Sequence, residues 1–120
     1  MNIEKIQGAH GVCAVVRSDD VVISDASSAL DVLMAAQYET GTKNIAIDKR
    51  RIAEPFLILS TGVAGEILQK YVNYGGRIAI YGDFSRYTSK PLKDFMRESN
   101  RGRDVFFVAT GEEAIAALTR

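Results

Sequence analysis

The stretch LSTGVAGEILQKYVNYGGRIAIYG, from Leu59 to Gly82, decides the fold. Its first half repeats apolar residues at helical spacing and predicts a helix from Gly62 to Tyr74, which Gly75 and Gly76 end. Its second half, Arg77 to Gly82, is a nearly continuous apolar run, which is typical of a strand buried on both faces. A helix that leads directly into such a strand indicates an α/β domain with parallel strands. The predicted buried stripe of the helix is Val63, Ile67, Leu68, Tyr71 and Val72.

The same alternation continues toward the C-terminus. Ser89 can cap another helix, which has Pro91 in its first turn. The run VFFVA, from Val105 to Ala109, predicts a further buried strand, and Thr110 with Glu113 forms a capping box for a last helix. The residues predicted to face inward from these two helices are Leu92, Phe95, Met96, Ser99, Ile115 and Leu118.

A helix and a strand are also predicted in the first half of the chain. Ser24 or Asp25 can cap the helix, and Gly41 ends it. Asn44 to Asp48 is a strand that ends on a carboxylate, whereas Phe56 to Leu59 fits either a short strand or one helical turn. The predicted buried face of the helix is Ala26, Leu30, Leu33, Met34 and Tyr38.

Short strands come first at the N-terminal end. Asn2 to Gln7 and Val12 to Val16 predict a β-hairpin, and Val21 to Ile23 predicts a third short strand. The sequence therefore predicts a single α/β domain over residues 1–120. Its sheet is mixed and mostly parallel, with an N-terminal β-hairpin and about four helices.

The composition excludes several classes of function. The 120 residues include 15 basic and 15 acidic side chains, so the net charge is zero and nucleic acid is not an expected partner. One cysteine, Cys13, and one histidine, His10, cannot build a zinc site, and no metal or cofactor is expected. Cys13 lies in an apolar run and is expected to be buried. Because no signal peptide or membrane span is evident, we expect a cytoplasmic protein without a membrane partner.

Sites in parallel α/β sheets gather at the carboxyl edge, where the strands end. Three segments are predicted to reach that edge: Asp48 to Arg51, the LSTG turn from Leu59 to Gly62, and Gly82 to Lys90. No Ser–His–Asp arrangement, dinucleotide-binding glycine motif or P-loop lysine is present in them. The candidates are therefore binding residues, and no catalytic residue is assigned.

The LSTG turn admits two interpretations. Free N–H groups and the helix dipole suit an anion, or a phosphorylated hydroxyl on Ser60 or Thr61. Alternatively the hydroxyls only cap the helix, and Gly62 and Gly65 let helix and sheet approach closely. Both interpretations place Ser60 and Thr61 at the amino end of the helix.

Other polar side chains near this edge carry similar alternatives. Glu66 could act in a site, but it lies four residues before Lys70, and this spacing favours a surface ion pair. Asp83 with Ser85, Tyr87 and Lys90 could bind a ligand or a metal. Alternatively Asp83 ends the strand with a side-chain turn.

Two long segments resemble a known family. Thr61 to Tyr74 is similar to TGLAGEILQKFVNY, and Gly82 to Val108 is similar to a GDFS…SK.L.DF..ESN.G..VFFV segment. Both belong to the bacterial family called domain of unknown function 4180. The resemblance covers most of the chain, and it implies no particular activity.

The order of elements also resembles, more distantly, the STAS domain of anti-sigma factor antagonists. In those proteins a strand ending in Asp is followed by an F-D-S-S-G-L turn that opens a helix. Here Phe56 to Val63 occupies that turn, and Ser60 falls where those proteins are phosphorylated, although Leu59 stands where the resemblance expects Asp. The resemblance implies a STAS-like fold with a phosphoacceptor at Ser60, and Thr61 lies beside it.

Three classes of function stay open at this point. The first is a noncatalytic regulatory or protein-interaction module, whose partner docks over Ser60, Thr61 and the helix from Gly62. The second is a small-molecule or anion sensor that uses the same edge. The third, an enzyme, ranks last because no catalytic constellation is present. A protein partner is expected, and a homodimer through the N-terminal strand edge is a further alternative.

Overall fold

Five strands form one mixed sheet in the computed structural model, which describes residues 1–120. The strands are β1 (Asn2–Gln7), β2 (Val12–Arg17), β3 (Asn44–Asp48), β4 (Arg77–Tyr81) and β5 (Val105–Val108), and they lie in this order across the sheet. The α-helices are α1 (Ala26–Thr40), α2 (Val63–Asn73), α3 (Lys90–Arg101) and α4 (Gly111–Thr119). None of these helices is long and apolar enough to cross a membrane.

The strand directions confirm the predicted fold class. β1 and β2 form an antiparallel hairpin, whereas β2, β3, β4 and β5 pair in parallel. Each parallel pair is joined by one α-helix, as crossover connections require. The parallel strands therefore end together at one carboxyl edge of the sheet.

An Ile-Ala-Ile pattern in β3 and β4 sets the two faces of the sheet. Ile45 pairs with Ile78, Ala46 with Ala79, and Ile47 with Ile80. The isoleucines belong to the larger core, with α1, α2 and α3, whereas both alanines lie in a second cluster with α4. Each fully buried isoleucine contributes about 1.5–3 kcal/mol. Small alanine side chains let α4 pack close to the sheet.

Helix α1 has the predicted ends but a different buried face. Asp25 accepts a hydrogen bond from the Ser28 backbone at 2.8 Å, and Gly41 closes the helix in the left-handed conformation. Tyr38, predicted to face inward, is 92% exposed, and Met34 is also exposed. Of the predicted face, only Leu33 is fully buried, because α2 packs against the side of α1 that carries Ala29. The buried residues are Ala29, Val32, Leu33, Ala36 and Thr40.

The prediction of a third N-terminal strand at Val21 to Ile23 is wrong. Only Ile23 forms an isolated bridge, with Ile52, and the amide groups of Val22 and Ile23 both donate to Arg51 O. β2 already lies between β1 and β3, so it has no free edge for another strand. The segment binds the connector after β3 instead.

The segment that leads into α2 is helical, which resolves the ambiguity at Phe56 to Leu59. Short 3-10 turns cover Glu54–Leu57 and Leu59–Thr61, and Pro55 lies in the first of them. Helix α2 then begins at Val63, one residue later than predicted. Val72 belongs to the predicted buried stripe but is exposed, whereas Ala64 lies outside that stripe and is buried.

The helices on either side of β5 begin with the predicted caps. Ser89 Oγ accepts from Leu92 N at 3.4 Å, and Thr110 Oγ1 accepts from Glu113 N at 3.2 Å. In a capping box, the Glu113 carboxylate would accept a hydrogen bond from the backbone of the N-cap residue Thr110. Here it accepts from Ala109 N at 2.9 Å. The carboxylate reaches the residue before the cap, so this half of the prediction is wrong.

Candidate functional site

The two hydroxyls before α2 have different roles. Thr61 Oγ1 lies 2.6 Å from Pro55 O and 2.8 Å from Ile58 O, and it accepts from Val63 N at 3.2 Å. These contacts hold the Leu59–Thr61 turn against the preceding turn. Ser60 is exposed, and its hydroxyl makes no side-chain hydrogen bond. Thr61 is thus a structural residue, whereas the Ser60 hydroxyl is free to react or to bind.

The capping prediction at this turn therefore holds for Thr61 only. The N-cap position itself is Gly62, with φ 77°, a conformation that side chains with a Cβ disfavour. Gly65 does not mark a close helix–sheet approach, because a Cβ built there meets no atom within 4 Å. That part of the prediction is wrong, since Gly65 lies on the exposed side of α2.

Ser60 lines a groove between two chain segments that are far apart in sequence. One wall is formed by Glu54 and Leu57 to Ser60, and the other by Arg86 to Ser89 with Pro91 and Leu92. The volume is about 640 Å³. We call it the Ser60 groove. Its apolar side includes Leu57, Leu59 and Ile58, which is 47% exposed.

A network of three side chains joins the two walls. Arg86 Nη2 donates to Glu54 Oε2 at 2.9 Å and to Tyr87 Oη at 2.7 Å. The Tyr87 hydroxyl is also 3.0 and 3.1 Å from the two Glu54 carboxylate oxygens. The Tyr87 hydrogen bond and the Glu54 charge raise the pKa of Arg86. A guanidinium is therefore held at the groove that contains Ser60.

Of the predicted ligand candidates near Gly82, Tyr87 lines this groove, whereas Asp83, Ser85 and Lys90 lie outside it and contact other residues of the chain. Asp83 Oδ1 accepts from Ser85 N at 2.9 Å, which is the side-chain turn expected at the strand end. Hydrogen bonding from the Ser85 side chain and then from its backbone lowers the Asp83 pKa. Lys90 Nζ pairs with Asp94 at 2.7 Å. The first contact orders the loop between β4 and α3, whereas the second lies within α3.

Glu66 is exposed on α2 and takes no part in either wall. The ion pair predicted with Lys70 is absent, so that expectation is wrong. Both side chains extend into solvent on α2, where such a pair gains little over hydration. Glu66 and Asp83 are both exposed and are not joined in one cavity.

Asp48 belongs to a second groove at the same carboxyl edge, here called the polar groove. It has a volume of about 700 Å³, and its lining carries three arginines, three aspartates (Asp19, Asp20 and Asp48) and Tyr81. Asp48 accepts from Arg50 Nη2 at 2.7 Å and from Arg50 Nε at 3.1 Å, and these bonds lower the Asp48 pKa. Burial, and then the Asp48 charge, raises the pKa of Tyr81. The arginines are Arg17, Arg50 and Arg51.

The carboxyl edge thus holds two grooves, and the predicted residues divide between them. Ser60 faces the first, and Asp48 lines the second. The sequence placed Arg86 and Tyr87 at this edge, within Gly82 to Lys90. It did not join them or Ile58 to Ser60, because no sequence spacing links these residues. No group of three or more histidine, cysteine, aspartate or glutamate side chains is placed to hold a metal ion.

Comparison with known proteins identifies one family. The model described as Domain of unknown function (DUF4180) matches residues 9–118, which is nearly the whole chain. No curated protein and no solved structure matches the chain. The resemblance carried by Thr61 to Tyr74 and Gly82 to Val108 is thereby confirmed.

Proposed function

The chain belongs to the DUF4180 family, and we propose that it is a noncatalytic regulatory module that binds a protein partner at the Ser60 groove. The observation that carries this proposal is the free, exposed hydroxyl of Ser60 beside a turn that Thr61 holds in place. A rigid support keeps Ser60 at one position on the surface. Such a position suits recognition by a partner and by a modifying enzyme.

The partner contact rests on the shape and chemistry of the Ser60 groove. A large apolar side chain, Ile58, is about half exposed, and Leu57 and Leu59 line the same concave surface. Concave apolar surfaces with polar rims are typical of interaction sites. The hydroxyls of Ser60 and Ser89 provide the polar rim. The groove fits a partner segment that inserts an apolar side chain and forms hydrogen bonds with these hydroxyls.

Control of binding rests on the charges around Ser60. A phosphoserine carries about −1.5 to −2 charge at neutral pH. At Ser60 this charge would lie near the amino end of α2 and in the groove that Arg86 lines. The phosphate would compete with Glu54 for the Arg86 guanidinium, which would change the wall that the partner contacts. The resemblance of the element order to STAS domains supports the same site, since Ser60 falls where those proteins are phosphorylated, although Leu59 replaces the expected Asp.

The experiment isolates a partner by pull-down from the native host and measures its affinity for variants at Ser60. Ser60→Glu should change the affinity by at least about tenfold, since charge-assisted bonds in the groove are replaced, whereas Ser60→Ala loses one neutral hydrogen bond and should weaken binding by only about a few-fold. Ser27→Glu is the matched control, because Ser27 is an exposed serine in the first turn of α1. Equal affinities of Ser60→Glu and Ser60→Ala would contradict the switch.

A second candidate function is a small-molecule or anion sensor, and the polar groove favours it. Arg51 makes no ion pair there, and the hydroxyl of half-buried Tyr81 makes no hydrogen bond, so both are available to a ligand. A ligand that binds only the folded chain raises its melting temperature, and the rise grows with the logarithm of ligand concentration above the Kd. A metabolite screen by thermal shift should find a compound whose effect is lost in Arg51→Gln and kept in Arg97→Gln. A compound that stabilises both variants equally would exclude the polar groove.

A further inference from the structure

A third groove lies at the opposite, amino-terminal edge of the parallel strands. It has a volume of about 720 Å³, and four of its seven lining residues are arginines. Asp104 is the one acidic side chain in the lining, and Gly102 and Phe106 complete it. We call it the arginine groove. The arginines are Arg77, Arg101, Arg103 and Arg120.

Arg77 is held in place by the backbone around it. Its Nε donates to Arg103 O at 2.6 Å, and its Nη1 donates to Leu118 O at 3.0 Å. Its guanidinium carbon lies 5.8 Å from the centre of the Phe106 ring. These contacts tie the start of β4 to the end of α4 and to the loop before β5. Arg77 is therefore a structural residue, and its guanidinium is held in one position.

The other arginines have no comparable structural role. Arg103 and Arg120 make no ion pair, and the Arg120 guanidinium carbon lies 5.2 Å from the centre of the Phe106 ring. Arg101 has one exposed ion pair, with Glu98 at 2.9 Å. Asp104 pairs with none of them. The groove therefore keeps an excess of positive charge, although the whole chain has zero net charge.

We propose that the arginine groove binds a small polyanion of the diphosphate or triphosphate class. Guanidinium groups form paired, charge-assisted hydrogen bonds with phosphate oxygens, and a fixed Arg77 loses little freedom on binding. Several arginines around one concave surface suit a ligand with more than one phosphate. Phe106 is only 3% exposed, so it offers no stacking platform for an unpaired base. This favours a small ligand over a single-stranded nucleic acid, and the site is separate from the Ser60 groove.

The experiment uses inorganic tripolyphosphate as the probe and isothermal titration calorimetry as the measurement. Wild type should bind one equivalent, with an affinity that falls as salt rises. Arg103→Gln should weaken binding by roughly tenfold to a hundredfold, as expected for lost hydrogen bonds between charged groups. The fold should survive this change, because Arg77 bonds the carbonyl of Arg103 and not its side chain. Arg97→Gln is the matched control, since Arg97 pairs only with Asp94 on α3.

A second variant tests the charge argument in the other direction. Asp104→Asn removes the one acidic side chain of the lining and should strengthen tripolyphosphate binding by roughly threefold or more, since a nearby like charge is lost. No binding by wild type, or equal weakening in Arg97→Gln and Arg103→Gln, would overturn the proposal. Tighter binding of a single-stranded oligonucleotide than of tripolyphosphate, lost in Arg103→Gln, would overturn the ligand class.

Discussion

The side-chain amide of Asn100 pairs with the backbone of Phe107 through two hydrogen bonds. Asn100 Nδ2 donates to Phe107 O at 3.0 Å, and Phe107 N donates to Asn100 Oδ1 at 2.7 Å. Asn100 lies near the end of α3, and Phe107 lies in β5, an edge strand of the sheet. The amide thereby occupies a donor and an acceptor that a neighbouring strand would otherwise use.

Asn100→Ala should expose this edge. We expect the free energy of unfolding to fall by about 1–3 kcal/mol, because a backbone donor and acceptor of a half-buried strand lose their partners. We also expect concentration-dependent self-association, measured by sedimentation velocity. Asn73→Ala is the control, since Asn73 accepts only an exposed bond from Gln69. A variant as stable and as monomeric as the control would contradict the role of Asn100.

Tyr71 should stabilise the contact between α1 and α2. Its hydroxyl donates to Ala29 O at 2.8 Å, and burial raises the Tyr71 pKa far above its usual range. Tyr71→Phe should lower the free energy of unfolding by about 1 kcal/mol, and Tyr71→Ala by about 3–5 kcal/mol. Urea unfolding measures both. Tyr38→Ala should have little effect, and a loss there as large as in Tyr71→Ala would contradict the observed face of α1.

Gly76 should not tolerate a side chain. A Cβ at this position would lie 2.9 Å from both Leu33 methyl carbons and 3.3 Å from Tyr71 Cδ2. Gly76→Ala should therefore cost about 1–3 kcal/mol through overpacking. The matched change Gly65→Ala meets open space within a helix and should stabilise by about 0.5–1 kcal/mol. Calorimetry would show opposite shifts in melting temperature, and shifts of the same sign would argue against this packing.

Asp48 should make stability depend on pH in the acid range. Its bonds with Arg50 lower its pKa in the folded state below the unfolded value of about 4. The stabilisation is therefore complete above the unfolded pKa and is lost as pH falls through the folded pKa. Wild type should exceed Asp48→Asn in stability at neutral pH, and the difference should shrink on acidification.

The control for this dependence is Arg50→Gln, which removes the partner of Asp48. The free energy of unfolding is measured by urea titration at several pH values. Arg50→Gln should lose the same pH-dependent contribution to stability that Asp48→Asn loses. If wild type and Asp48→Asn differ in stability by the same amount at every pH, the Asp48–Arg50 bond does not cause the pH dependence.

Local sequence determined most of the elements. The helical spacing after Gly62 and the apolar run from Arg77 correctly predicted α2 and β4, because each pattern reflects burial by one element on its own. Caps at Asp25 and Ser89 were also predictable, since a capping side chain and its backbone partner lie within three residues.

Errors arose where a neighbour outside the element decided the outcome. Tyr38 fits an apolar stripe by spacing, yet α2 packs against the side of α1 that carries Ala29, and Tyr38 is left exposed. Val21 to Ile23 has strand composition, but β2 had no free edge to pair with it. The spacing of apolar residues indicates which face of an element is apolar, but it does not indicate which other element packs against that face.

By itself, the sequence determined the α/β order of this protein and the helix that starts beside Ser60 and Thr61. Only the tertiary structure decided that the Thr61 hydroxyl is bonded and that Arg86 shares a groove with Ser60. The arginine groove is likewise built from the start of β4 and the ends of α3 and α4. Element patterns arise from contacts a few residues apart, whereas each groove has walls from distant segments that meet only when the sheet and its helices pack.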